Sequence, residues 1–174
     1  MLVRRAVSAD AAAIAEVHVR TWQSAYTAFF DPEYLKAMDR LLDEAALERR
    51  RATLEGTEQT TFVAEEEGII LGFATIAQNR DGLGEEVGEL GAIYVHPEAW
   101  NKGVGAALLT EAERYLATEG FDSAILWTLA ANQRTRRFYE SNGWTFDGLE
   151  HMHEATQTLR VRYAKSLPPS DKLP

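Results

Sequence analysis

The stretch Ile93-Tyr94-Val95-His96-Pro97-Glu98-Ala99-Trp100-Asn101-Lys102-Gly103-Val104-Gly105-Ala106-Ala107-Leu108-Leu109 constrains this chain more than any other. It reads as a strand, a short loop and a glycine-rich entry into a helix, a unit that belongs in a sheet with helices packed on it. Gly103 and Gly105 remove side chains at the helix start. Consecutive backbone N–H groups, backed by the helix N-terminus, can then approach a phosphate. Tight packing of a helix start asks for the same glycines, so the spacing by itself leaves both readings open. Two familiar phosphate loops are excluded. A Walker loop needs Gly-Lys-Ser/Thr after four residues, and a dinucleotide fingerprint needs a third glycine where Leu108 stands, after the first strand of the fold.

The rest of the chain supplies the elements around this unit. Residues 2–7 predict a strand, and Ser8 or Asp10 can cap a helix with Ala11, Ile14, Val17, His18, Trp22 and Ala25 at helical spacing. Asp31-Pro32-Glu33 is a second helix start, and Asp43 opens a third helix toward Leu54. Residues 61–66, a turn at Glu67-Gly68, and residues 69–78 predict a β-hairpin, followed by a loop over 79–86. Strands are expected over 88–95, 123–129, 144–148 and 156–167, and helices over 103–118 and from an Asn132 N-cap to Ser141, ended at Asn142-Gly143. The fold class is α/β with a mixed sheet of six to seven strands flanked by helices, and 88–129 is a parallel crossover. Residues 1–167 are expected to form one domain, with the Pro-rich 168–174 a flexible tail.

Composition narrows the chemistry. A net charge of −9 over 174 residues argues against a nucleic-acid surface and suits a cationic substrate. The absence of cysteine excludes a thiolate nucleophile, and with it acyl transfer through a protein thioester. No run approaches the roughly 18 apolar residues of a membrane span, and the N-terminus lacks a secretory pattern, so no membrane partner and a cytoplasmic location are expected. No third ligand joins His151 and His153, and no metal is expected.

Trp100-Asn101-Lys102-Gly103-Val104-Gly105 resembles motif A of the GNAT N-acetyltransferase superfamily, Gln/Arg-x-x-Gly-x-Gly/Ala after a strand ending Val-x-Pro. Trp100 stands in the Gln/Arg place. The stretch from Asn132 to Trp144 is similar to the family's motif B, Asn-x6-Tyr-x3-Gly-aromatic, carried here by Asn132, Tyr139, Gly143 and Trp144. The resemblance covers about residues 1–165. It implies the acyl-CoA N-acyltransferase fold and use of acetyl-CoA.

By this resemblance, main-chain groups of Ile93, Tyr94 and Val95 pair with the pantetheine arm, where the strands starting at Gly88 and Ser123 splay apart. Backbone N–H groups of Asn101, Lys102, Gly103, Val104, Gly105 and Ala106 hold the pyrophosphate. Lys102, Arg134, Arg136 and Arg137 add local positive charge. Asn132 caps its helix and also contacts the pantetheine. Tyr139 is the acid for the departing thiolate. With reference pKa values of about 10 and 8.5, full transfer is uphill by about 2 kcal/mol, so a hydrogen bond to the developing charge suffices.

An alkyl amine of pKa about 10.4 is neutral at pH 7 about once in 2,500 molecules, a cost near ~4.6 kcal/mol, so a base matters. Glu89 is the first candidate, directly or through water, and Glu86 the second. Trp22, Tyr26 and Phe29 are candidates for the acceptor pocket, with Asp31 or Glu33 drawing a cation. His18 reads as a packed residue. Family members that acetylate protein N-termini often carry a Glu where this chain has Trp127, which disfavours that acceptor. The implied reaction is direct transfer, in a ternary complex, to a primary amine of a small molecule or peptide, with the oxyanion met by a backbone N–H near Tyr94 or Val95. The alternative is a catalytically silent acyl-CoA-binding regulatory domain. Homodimerisation is left open.

Overall fold

The structure, a computed structural model, describes residues 1–168; the tail anticipated over 168–174 lies, beyond Pro168, outside them. Its strands are β1 (Leu2–Arg5), β2 (Gln59–Glu66), β3 (Ile69–Gln78), β4 (Val87–Val95), β5 (Ser123–Leu129), β6 (Thr145–His153) and β7 (Thr158–Ser166). Its helices are α1 (Ala11–Ala25), α2 (Pro32–Lys36), α3 (Glu44–Glu55), α4 (Val104–Thr118) and α5 (Gln133–Ser141). The strands form one mixed sheet in the order β1-β2-β3-β4-β5-β7-β6. Among the registers, β4–β5 is parallel over Val87–Glu89, while β1–β2, β5–β7 and β6–β7 are antiparallel. This is the α/β architecture expected from the sequence, with seven strands.

The chain divides into two compact units, and β3, β4 and α4 contribute residues to each. The first comprises Met1–Ile76 and Ala92–Ala112. Its core forms where the apolar stripe of α1 meets the alternating residues of β2 and β3: Ile14 and Val17 lie with Val63, Ile70 and Phe73, and Ala92 and Tyr94 pack against them. Glu67 and Gly68, at φ 52° and 82°, turn the β2–β3 hairpin. Two left-handed residues suit the twist of a two-residue hairpin, and glycine takes that conformation without penalty.

The second unit comprises Ala77–Gly91 and, among the described residues, 113–168. Tyr163 on β7 is fully buried, and Tyr139 of α5 packs on it with ring centroids 6.2 Å apart. The loop before β4 is held by Asn79, whose Nδ2 donates to the carbonyls of Gly84 and Val87, each at 2.8 Å, while its Oδ1 accepts from the Leu83 N–H at 2.9 Å.

Two sequence expectations need correction. Gly148 was expected to end a strand over 144–148, but β6 runs on to His153, and Gly148 (φ 91°) lies where the β6–β7 register shifts between Phe146 and Glu150. A glycine in a strand marks an irregularity as readily as an end. Asp10, Asp31 and Asp43 stand at N-cap positions, yet none makes a side-chain cap bond. Asp10 instead takes two hydrogen bonds from Arg4, at 2.7 and 2.9 Å, and one from the Val7 N–H. That ion pair ties β1 to the start of α1 and holds the Asp10 carboxyl below its ordinary range.

Candidate active site

The first unit holds the loop and helix start singled out by the sequence. After β4, a short 3-10 turn over Pro97–Ala99 leads into Trp100, Asn101 and Gly103. Asn101 has φ 62° and Gly103 φ 82°, a left-handed pair that turns the chain sharply into α4. At the cap position Gly103 has no side chain to fold back onto the first N–H groups, and the first four N–H groups of any helix lack intrahelical partners. A Cβ built at Gly103 would meet nothing within 4 Å. The residues therefore fit an anion: an open approach, free donors at a helix N-terminus and the positive end of its dipole.

Gly72, which the sequence reading passed over, sets where this start sits. A Cβ at Gly72 would lie 2.8 Å from the Tyr94 carbonyl oxygen, 3.0 Å from Leu108 Cδ1 and 3.2 Å from Val104 Cγ1. Only glycine lets β3, β4 and the first turns of α4 approach this closely.

The three backbone residues expected to meet a pantetheine arm alternate in direction. The N–H of His96 bonds to the Leu71 carbonyl on β3 at 2.8 Å, so the neighbouring N–H and C=O groups of Val95 and then Ile93 point to the other side of β4. The carbonyl of Val95 is already engaged. It accepts from Trp100 Nε1 at 2.7 Å and lies 2.9 Å from the Thr21 hydroxyl, whose single hydrogen is shared with the Val17 carbonyl at 2.6 Å. Trp100, standing where motif A has Gln or Arg, thus spends its donor within the protein. Lys102 is exposed.

The acceptor candidates cluster in the same unit. Trp22 lies 4.6 Å from Tyr26 and 5.3 Å from Phe30, ring centroid to centroid, and Tyr26 lies 6.3 Å from Phe29. Phe30 stacks on Tyr34 at 5.0 Å. Trp22 Nε1 is sealed from solvent without a hydrogen-bond partner. Asp31 and Glu33 are exposed. His18 is half-buried, and burial, with Arg50 nearby, pushes its imidazole down to about 4.

The second unit holds the other candidates. Asn132 is buried and caps α5, its Oδ1 accepting from the Thr135 N–H at 3.1 Å, while its Nδ2 has no partner among the described residues. Tyr139 is 5% exposed, set among the rings of Phe138, Trp144 and Tyr163. Glu89 is buried and accepts three hydrogen bonds from Arg80: from the backbone N–H at 3.1 Å, Nε at 3.2 Å and Nη2 at 2.6 Å. Two fall on Oε2 and one on Oε1, so of about four lone-pair positions one on Oε1 is left for a further donor. Arg136 does not stand as a loose surface cation, because it donates to the Tyr163 hydroxyl at 2.9 Å and to the Ala130 carbonyl at 3.2 Å. Trp127 donates to Asp81 at 3.1 Å beneath the guanidinium of Arg162.

Residues 17–144 match the Acetyltransferase (GNAT) family. The chain belongs to this family. The acetyltransferase is 34% identical over 131 residues to the uncharacterized N-acetyltransferase YuaI of Bacillus subtilis (strain 168), covering 75% of this chain and 72% of that protein. It is 32% identical over 148 residues to the uncharacterized N-acetyltransferase YhfO of the same organism, covering 84% and 91%. In fold it is similar to the PaiA N-acetyltransferase of Thermoplasma acidophilum, solved in complex with coenzyme A, with a TM-score of 0.74 and 19% identity over 95% of this chain and 98% of that one. The expectation of a GNAT fold and of an acyltransferase that draws on an acyl-CoA is met. Among the described residues no helix is long and apolar enough to cross a membrane.

Proposed function

We propose that this acetyltransferase moves the acetyl group of acetyl-CoA directly onto a primary amine of a small molecule or peptide. The observation that carries the reading is the start of α4, where left-handed Asn101 and Gly103 turn the chain into the helix and a Cβ at Gly103 would meet nothing within 4 Å. Backbone N–H groups of Asn101, Lys102, Gly103, Val104, Gly105 and Ala106 hold the pyrophosphate. Main-chain groups of Ile93 and Val95, which point away from β3, bind the pantetheine arm, with Tyr94 between them held toward β3. Since the Val95 carbonyl is engaged by Trp100 and Thr21, its N–H carries the Val95 contact.

Acetyl-CoA, when bound, supplies an activated thioester carbon for attack by the amine. Asn132 offers Nδ2 to the cofactor while its Oδ1 stays on the Thr135 N–H. Tyr139 donates its hydroxyl hydrogen toward the departing sulfur. Glu89 takes the proton from the acceptor's ammonium through a water on its remaining Oε1 lone pair, which frees the neutral amine to attack. Trp22, Tyr26 and Phe29 line the acceptor side. The absence of cysteine supports direct transfer over a covalent thioester.

The test is a panel of primary amines assayed for free CoA release with acetyl-CoA. Turnover of one or more amines, with sequential kinetics, is the expected result. Coenzyme A binding with silence across the panel favours the regulatory, non-transferring reading, and failure to bind coenzyme A at all rejects the reading of the α4 start.

A further inference from the structure

Arg50 on α3 is a half-buried cation with no acidic partner among the described residues. Two of the three carboxylates of its own helix, Glu44 and Glu48, go to Arg51, whose Nη1 lies 2.7 Å from both Glu44 Oε1 and Glu48 Oε2, and the third, Glu55, makes no ion pair with Arg50 among the described residues. Arg50 sits among rings instead. Its Cζ is 6.0 Å from the centroid of Phe73, and its Nη2 is 3.4 Å from His18 Nδ1, while the His18 ring stacks on Tyr94 at 4.8 Å. Burial disfavours the charge on both groups, so His18 is neutral at pH 7 and meets Arg50 as a hydrogen-bond acceptor, not as a second cation.

The guanidinium carries five N–H donors, and one of them meets one long bond to an imidazole. Among the described residues, Trp22 Nε1 is the side-chain polar atom sealed off without a partner, so the other Arg50 nitrogens reach solvent. Trp22 belongs to the same cluster, its ring 6.1 Å from His18. The cluster is therefore rich in donors and short of acceptors. Holding a guanidinium partly out of water without an anion costs free energy, and the face of Phe73 recovers only part of it.

We propose that Arg50 receives a carboxylate carried by one of the two substrates, its planar fork matching the two oxygens in bidentate fashion. This rests on the acetyl-transfer reading above, since Tyr94, on which His18 stacks, belongs to the strand assigned to the pantetheine arm. The carboxylate has two sources. It belongs to the amine acceptor, which makes the acceptor an amino acid or a peptide with a nearby acid, or to the far end of a dicarboxylic acyl group on CoA.

The experiment uses the full chain and begins with calorimetry of coenzyme A alone, which tests the acetyl-transfer reading separately. In one arm, binding of N-acetylated amino acids to the CoA-loaded protein is compared with that of their carboxamides. In the other, succinyl-CoA is compared with acetyl-CoA. Both arms are repeated with Arg50→Gln and Arg50→Lys, and thermal melts check that each variant is folded. The expected result is a preference for the carboxylate of about 10- to 100-fold in one arm, which identifies the source. Arg50→Gln collapses that ratio, and Arg50→Lys keeps part of it. No preference in either arm, or one that survives in folded Arg50→Gln, overturns the proposal, whatever coenzyme A does. Because this readout is a ratio within each variant, a general loss of stability does not mimic it.

Discussion

Helices α4 and α5 both follow a strand of the sheet, yet they begin in opposite ways. At α5 the side chain of Asn132 turns back and accepts the Thr135 N–H at 3.1 Å, so the helix end is closed from within. At α4 the equivalent place is Gly103, with no side chain, left-handed φ and empty space where a Cβ would stand. A capped start is complete by itself. An uncapped start with an open approach is complete only when water or an anion meets its donors. The same strand–loop–helix unit is thus closed from within in one case and left open in the other, and a few residues decide which.

The strongest way to break this contrast is Gly105→Glu, which brings a carboxylate to the open helix start. Coenzyme A binding is expected to weaken on the order of 1,000-fold in calorimetry, from lost charge-assisted bonds and added repulsion. Unchanged affinity means that the α4 start is as closed as that of α5. Next in size, Tyr139→Phe is expected to lower kcat about 100-fold while leaving coenzyme A affinity nearly as it was. Steady-state rates equal to those of the original chain remove Tyr139 as the acid.

A third test separates packing in the first unit from either helix start. The imidazole of His18 is held at about 4 in the folded chain, below the ordinary 6.5, so the unfolded chain takes up a proton first as pH falls. Its contribution is therefore complete above about pH 6.5 and diminishes through the window down to about pH 4, by roughly 2 kcal/mol between pH 6 and 4.5. Denaturant melts across that window should flatten in His18→Gln. An equal acid slope in both proteins assigns the acid sensitivity elsewhere.

Gly72→Ala is expected to cost about 1–2 kcal/mol, because its methyl meets the Tyr94 carbonyl, Leu108 and Val104 at 2.8–3.2 Å. Coenzyme A affinity should fall with it, since the start of α4 must shift. A fall in stability with full affinity would detach the Gly72 contact from the binding geometry. The smallest effect sharpens the α5 side. Asn132→Ala removes the cap and about 1 kcal/mol, whereas Asn132→Asp keeps the acceptor, replaces the Nδ2 donor with an oxygen and adds a negative charge. Weaker coenzyme A binding by Asn132→Asp at an unchanged melting temperature separates the cap from the ligand contact, and equal affinity leaves Asn132 a cap alone.

Local patterns were the legible part. The hairpin over residues 61–78 with its turn at Glu67-Gly68 follows from local residue chemistry and backbone geometry, and so does the left-handed glycine after α5, Gly143 at φ 82°. Cap residue types were legible as well, and so was the Asn132 cap bond, but the aspartates at the other helix starts make none. Asp10 answers to Arg4, six residues away, and a pull from outside the helix is invisible in the helix's own sequence. Gly148 was misread for a related reason, because a bulge and a strand end ask for the same residue. At the candidate site, Trp100 was seen as a departure from motif A, but its bond to the Val95 carbonyl needed the fold of the 3-10 turn. Glu89 was chosen by position, and the three hydrogen bonds from Arg80 that shape its use come from a loop that sequence patterns leave unordered.

The sequence by itself determined the order of strands and helices, the missing thiol, and the two spaced motifs that place the chain among the acetyltransferases, because periodicity, turn chemistry and motif spacing act over short distances along the chain. Tertiary structure alone decided which donors remain unspent. The Val95 carbonyl is taken, one Glu89 lone pair is left, and among the described residues Asn132 Nδ2 has no partner and Arg50 lies among rings without an acid. Each is a balance between groups far apart in sequence, and desolvation and hydrogen bonding are settled only when those groups are packed together.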